Sequence, residues 1–174
     1  METINQTFPA LYVGTYAKYS NGSISGKWMY LDHYADAEHF LIACKELHAD
    51  ESDPELMFQD YQGIASYFYS ENMNIGQLED LYCYIEYRNK NEHYKEAVYE
   101  YVQNFGQWDK YEFEANYMGE WDSEADFAEH LLNETGDINK IPEHLRYYID
   151  IKAYAADLFI DDYAFCNGHV FVNH

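Results

Sequence analysis

The sequence predicts an α+β fold, and three observations carry that reading. Short β-branched or aromatic runs lie near both ends of the chain, and apolar residues recur every three to four positions between them. Near the end, Asn167-Gly168 stands between the apolar runs AFC and HVFV. The last is the strongest local signal, a two-residue hairpin turn whose central positions need the positive φ that Asn and Gly adopt at least cost. Antiparallel sheets separated by helices follow from the three together.

Taken in order, PALYVGTY (9–16) and KWMYL (27–31) read as two strands, with a loop at the Asn21-Gly22 and Gly26 punctuation. A helix follows, because Ala37, Phe40, Leu41, Cys44 and Leu47 share one face and Asp36 and Glu38 sit where the positive end of the helix dipole favours them. LMFQDY (56–61) is a candidate third strand, completing a ββαβ unit over 1–72. The period then changes. Ile75, Leu78, Leu81, Tyr82 and Ile85 form one helical stripe, and Tyr94, Ala97, Val98, Tyr101 and Phe105 form another, so 73–107 reads as a helical hairpin. From 108 to 174 the character is mixed again. YEFEANY (111–117) alternates like a half-buried strand, Ser123-Glu-Ala-Asp126 resembles a capping box, and Gly136 is placed to stop the helix that the box starts. Pro142 suits the first turn of a further helix. The expectation is therefore three modules, two small mixed α/β modules with antiparallel sheets flanking a central helical one.

The chain has 174 residues with 48% hydrophobic, which excludes a disordered acidic tail. Its extreme feature is charge, with 32 acids against 10 bases and a net charge of −22. Such a field repels nucleic acid and anionic membrane and attracts basic surfaces. The N-terminal METINQTFPALYVG has no basic region or long apolar run, and no apolar stretch reaches eighteen residues, so a cytoplasmic protein is expected. Three widely spaced cysteines, Cys44, Cys83 and Cys166, suit a reducing compartment rather than a disulfide framework.

The acids concentrate in EWDSEADFAEHLLNE (120–134), where six carboxylates stand with no Lys or Arg. At roughly 100° per residue, Ala125, Phe127, Ala128, Leu131 and Leu132 share one arc. Asp126, Glu129, Asn133 and Glu134 take the other side and face water. Like charges three or four apart repel by only about 0.7 kcal/mol in water, so a fold tolerates them. A solvated, solubilising face is the bland explanation. Against it stands the density: 22 charges match roughly 37 Å of duplex at one charge per about 1.7 Å, close to the ~40 Å diameter of a compact chain this long. The surface has enough charge to imitate DNA.

Rival chemistries are weaker. A calcium loop starting at Asp122 has Phe127 where glycine is required. Cys44-x-x-x-His48 and Cys166-Asn-Gly-His169 hold zinc-type ligands, but no CxxC or HExxH accompanies them. YSNGSISGK (19–27) lacks the GK[ST] ending of a phosphate loop. Glu120 with Asp122 or Glu124 would serve as the acid and base of a glycosidase, though spacing in sequence does not set their separation in space. A generic acidic partner of a basic protein is the other alternative. No cofactor is implied. Of the tyrosines, those at 82, 94 and 101 lie on core stripes, whereas Tyr147, Tyr148 and Tyr154 sit among acids and suit an interface as well as a core.

Two stretches, FPALYVGTYAKYSNGSISGKW (8–28) and LLNETGDINKIPEHLRYYIDIKAYAADL (131–158), resemble the start and the antirestriction-motif region of the ArdA antirestriction proteins, and DYQGIASYFYSENMNIGQLEDLY (60–82) is similar to the link between that family's first two domains. The resemblance implies an elongated, curved, three-domain molecule, commonly a homodimer encoded on mobile elements. It implies no catalysis, but competition with DNA for the binding groove of type I restriction–modification enzymes. Glu134, Tyr148, Asp150, Tyr154 and Asp157 match the motif and belong, by that resemblance, to the dimer-forming region. The partner-binding surface is expected to comprise Asp109, Glu112, Glu114, Glu120, Asp122, Glu124, Asp126, Glu129, Glu134, Asp137, Asp150 and Asp157. Arg88, Lys90 and Lys95 interrupt the acidic field between the end modules.

Overall fold

The computed structural model describes residues 8–173, and its strands form two three-stranded antiparallel sheets, each combined with helices, as an α+β fold requires. The chain divides into two compact units between Lys95 and Glu96.

In the first unit β1 (Ala10–Thr15) lies between β2 (Lys27–Tyr30) and β3 (Leu56–Gln62). Leu11 faces Met29 on one side and Tyr61 on the other, and a bulge between Tyr12 and Val13 shifts the register against β3. The first expected strand ends one residue early. Thr15 accepts a hydrogen bond from the Lys18 N–H at 3.3 Å and starts a short helix, α1 (Tyr16–Ser20), inside what the sequence presents as strand and loop. α2 (Ala37–Leu47) is capped by Asp36, which accepts from the His39 N–H at 2.9 Å. Its apolar face buries Ala37, Phe40 and Cys44, and Phe40 stacks on Phe58 of β3 with centroids 6.4 Å apart. α3 (Ile75–Lys90) opens with a reciprocal capping box between Asn74 and Gln77 and buries Leu78, Leu81, Tyr84, Ile85 and Tyr87. The Tyr82 hydroxyl donates to the Leu31 carbonyl at 3.0 Å.

The second unit begins within α4 (Lys95–Phe105) and continues through α5 (Lys110–Asn116), β4 (Tyr117–Glu120), α6 (Glu124–Glu134), α7 (Glu143–Arg146), α8 (Ile151–Asp161), β5 (Tyr163–Cys166) and β6 (His169–Val172). Its sheet has the order β4-β6-β5. β5 and β6 are joined by Asn167 and Gly168 at φ 49° and 89°, the positive pair that a type I′ turn demands. Tyr101, Phe113 and Phe171 are fully buried and meet with centroid distances from 5.6 to 6.4 Å. A second aromatic cluster forms around Phe127.

The strand expected over 111–117 is a helix up to Asn116. Asp109 supplies the cap, Glu and Ala favour the helix, and Phe113 and Asn116 are buried at a spacing of three while Tyr117 at four is half-buried. The alternation that suggested a strand is coincidental over so few residues. α5 runs into β4 with no intervening loop. Among the described residues no helix is long and apolar enough to cross a membrane.

A candidate interaction surface on the second unit

The carboxylates from 109 to 134 are held in place one element at a time. Asp109 accepts from the backbone N–H groups of Tyr111 at 2.8 Å and Glu112 at 3.0 Å, which pins the first turn of α5. Phe113, stacked on Tyr117 at 5.4 Å, anchors that helix from below and leaves Glu112 and Glu114 exposed. β4 then pairs with β6, Gly119 opposite Val170 and Glu120 opposite His169. Gly119 has φ 103°, a conformation that side chains rarely adopt, and a Cβ there would lie 3.3 Å from the Trp121 ring nitrogen. Trp121 donates its ring N–H to the Met118 carbonyl at 3.0 Å and its backbone N–H to Gly168 at 2.8 Å. Exposed Glu120 and Asp122 therefore flank a residue locked to the hairpin turn.

α6 begins at Ser123, whose hydroxyl oxygen accepts from the Asp126 N–H at 3.2 Å and donates to the Asp126 carboxylate at 2.5 Å. The acid answers the side chain of the cap, not its backbone as in a true capping box. Phe127 is buried in a cage of Trp121, Phe159 and Tyr163 at 5.6, 5.8 and 4.8 Å. With that side fixed, Glu124, Asp126, Glu129 and Glu134 are exposed on the other.

Neutralisation is sparse. From residue 96 onward the sequence carries 17 acids and 4 Lys or Arg, a balance of −13. Two ion pairs within 4 Å occur there among the described residues, His130 with Glu134 at 2.9 Å and Lys140 with Asp137. Hydrogen bonds from Lys140 and then Thr135 hold the Asp137 carboxyl below its ordinary value. Glu120, Asp122, Glu124, Asp126 and Glu129 take part in no such pair.

The Asp109 cap invites a direct test. Asp109→Ala is expected to lower the stability of the second unit by about 1 kcal/mol in thermal melts, while Asp109→Asn, which caps equally well, is expected to leave it unchanged.

The motif residues distribute over the end of α6 and over α8. Asp150 caps α8 by accepting from the Ala153 N–H at 3.1 Å, and Tyr154 and Asp157 lie on that helix. Burial, then the nearby charge of Asp137, pushes the Tyr154 hydroxyl up from its ordinary value, which places Asp137 within electrostatic reach of it. Tyr148 is 79% exposed beside Tyr147 at 91%, their rings edge to face at 5.7 Å. Tyr111, 73% exposed on α5, falls outside the surface expected from the sequence, because a strand over 111–117 would turn it to the same side as Phe113. The signal was present: Asp109-x-x-Glu112 has the same form as Ser123-x-x-Asp126, a cap residue with an acid three positions on.

The rival ligand sets are engaged elsewhere. Burial pushes the Cys44 thiol up to about 12, far from the thiolate a metal needs, and it donates to the Met29 sulfur at 3.7 Å. His48 is buried between the Lys18 ammonium at 2.9 Å and the Val13 carbonyl at 3.3 Å. His169 meets the Tyr117 hydroxyl at 3.0 Å through Nδ1. Among the described residues no group of three or more His, Cys, Asp or Glu is arranged to hold a metal. A pocket of about 110 Å³ in the first unit is lined by Asp32, Arg88 and Lys95 among others, and its single carboxylate supplies no acid and base pair.

A family model for antirestriction protein (ArdA) matches residues 11–172. The chain belongs to the ArdA antirestriction family. No curated protein sequence matches it well enough for a residue-by-residue comparison. The ArdA match takes in both sheets but for Ala10 and every carboxylate from Asp109 to Asp157, so the acidic surface is part of the family domain and not an appendage to it. ArdA proteins are inhibitors directed at restriction enzymes and not catalysts, in keeping with a site built from exposed charge.

Proposed function

We propose that this ArdA-family protein acts as a DNA mimic, occupying the DNA-binding groove of type I restriction–modification enzymes and excluding their substrate. The observation that carries the reading is the set of exposed carboxylates from Asp109 to Glu129, held on or beside α5, β4 and α6 by caps and aromatic anchors, with Lys110 as the single Lys or Arg among them. A groove that binds phosphates displays Lys and Arg, and fixed carboxylates satisfy them while presenting no base edge. The inhibitor should therefore disregard the target's sequence preference. Type I enzymes are favoured as the target because of the resemblance in the 131–158 stretch.

A homodimer is part of the same proposal. Leu145, Tyr147, Tyr148 and Ile160 are exposed apolar or aromatic residues close in sequence around α7 and α8, the kind of surface that a second copy would cover.

Binding to a purified type I methyltransferase core is expected to weaken steeply as salt rises from 50 to 200 mM and to be reversed by duplex DNA. Titration calorimetry or fluorescence anisotropy at several salt concentrations measures both. Binding that ignores salt and leaves DNA in place would overturn the reading.

A further inference from the structure

Tyr111 is the one exposed aromatic residue of α5, and it stands among acids. Phe113 supplies the buried anchor of that helix, whereas the Tyr111 ring is 73% exposed between Asp109, Glu112 and Glu114 in sequence, with its backbone N–H held at 2.8 Å by Asp109. A second observation concerns Lys110. It is the only Lys or Arg between residues 96 and 139, and carboxylates surround it in sequence. Its ammonium nevertheless makes no ion pair within 4 Å among the described residues and stands instead over the Tyr111 ring, 5.2 Å from the centroid. That distance is within the range at which the negative face of an aromatic ring attracts a cation.

We propose that the Tyr111 ring is a seat for a guanidinium or ammonium group of the restriction enzyme's DNA-binding groove, occupied in the free protein by Lys110. The inference rests on the groove-competition reading above and names a contact that phosphate mimicry alone does not provide. Carboxylates answer the charge of the groove. A ring face set among them adds attraction that depends on contact and not on the screened field, and Arg, weakly hydrated and planar, stacks on such a face more readily than Lys. Lys110 is then a placeholder. It stands over an otherwise exposed ring in the free inhibitor and gives way when the groove's cation arrives, so its presence weakens binding twice, through its charge and through the seat it fills.

The test is binding of the full chain to a purified type I methyltransferase core, with thermal melts to show that each variant is folded. Tyr111→Leu, which keeps apolar bulk and removes the ring face, is expected to weaken binding about fivefold with the dependence on salt unchanged. Tyr111→Phe keeps the face and should bind within about twofold of the parent. Lys110→Gln should tighten binding more than the charge-matched Lys27→Gln, and that excess should vanish when Tyr111→Leu is also present. Parental affinity in Tyr111→Leu, or equal gains from Lys110→Gln and Lys27→Gln, would overturn the seat. If Tyr111→Leu is silent while neutralising the acids abolishes binding, the seat fails and groove competition stands. If neutralising the acids is silent too, groove competition itself fails.

Discussion

Neutralising Asp109, Glu112, Glu114, Glu120, Asp122, Asp126 and Glu129 together, by Asn or Gln, is expected to abolish inhibition of a type I enzyme, whereas Glu129→Gln alone should cost about threefold or less. The asymmetry follows from how the charge is held. All seven side chains are exposed on or beside α5, β4 and α6, and among the described residues Asp109, Glu120, Asp122, Asp126 and Glu129 make no ion pair within 4 Å. On the proposed reading, a groove that took them for phosphates would gain from each a small, screened increment, and the increments would accumulate. Asn replaces Asp109 as a cap, so helix content by circular dichroism should persist while inhibition in a DNA-cleavage assay is lost. A single carboxylate whose removal eliminates activity would point back to catalysis, and to a paired acid and base, in place of competition.

Phe127→Ala is the complementary experiment, because it leaves the net charge at −22 and removes the support. Phe127 is buried against Trp121, Phe159 and Tyr163, and Phe→Ala substitutions at such sites cost about 3–5 kcal/mol. Typical domains have only about 5–15 kcal/mol in total. The second unit should lose much of its stability, read as an earlier urea midpoint, and inhibition should fall in step with the folded fraction. Should the variant inhibit fully under conditions where α6 has melted, charge alone would suffice and mimicry by placed carboxylates would be wrong.

Local chemistry made much of this legible in the sequence, and non-local chemistry hid the rest. Asn167-Gly168 announced its hairpin because two adjacent residues determine the turn, and the apolar arc of α6 put Phe127, Ala128 and Leu132 inside and the acids outside because a helix has a fixed phase. The same logic overreached at 111–117, where alternation mimicked a strand and the cap at Asp109 decided for a helix. It also missed α1, which Thr15 nucleates where the expected first strand passes into a loop. Pairings such as Tyr117 with Phe171 join residues far apart in the chain, and no short window contains them. For the site, the exposure of the carboxylates was readable, but the Lys110 ammonium standing over the Tyr111 ring depends on side-chain placement, which no pattern of residue types encodes.

The direct junction of α5 with β4 has a thermodynamic consequence. Since Asn116 ends the helix and Tyr117 begins the strand, the segment from Lys110 to Glu120 has no free hinge, and its backbone is already restricted before any encounter. An unstructured acidic peptide of equal charge would have to surrender about 1–2 kcal/mol of conformational entropy for each residue it ordered on a target. Here the ordering occurs during folding, so in the proposed complex a larger share of the attraction would remain as affinity.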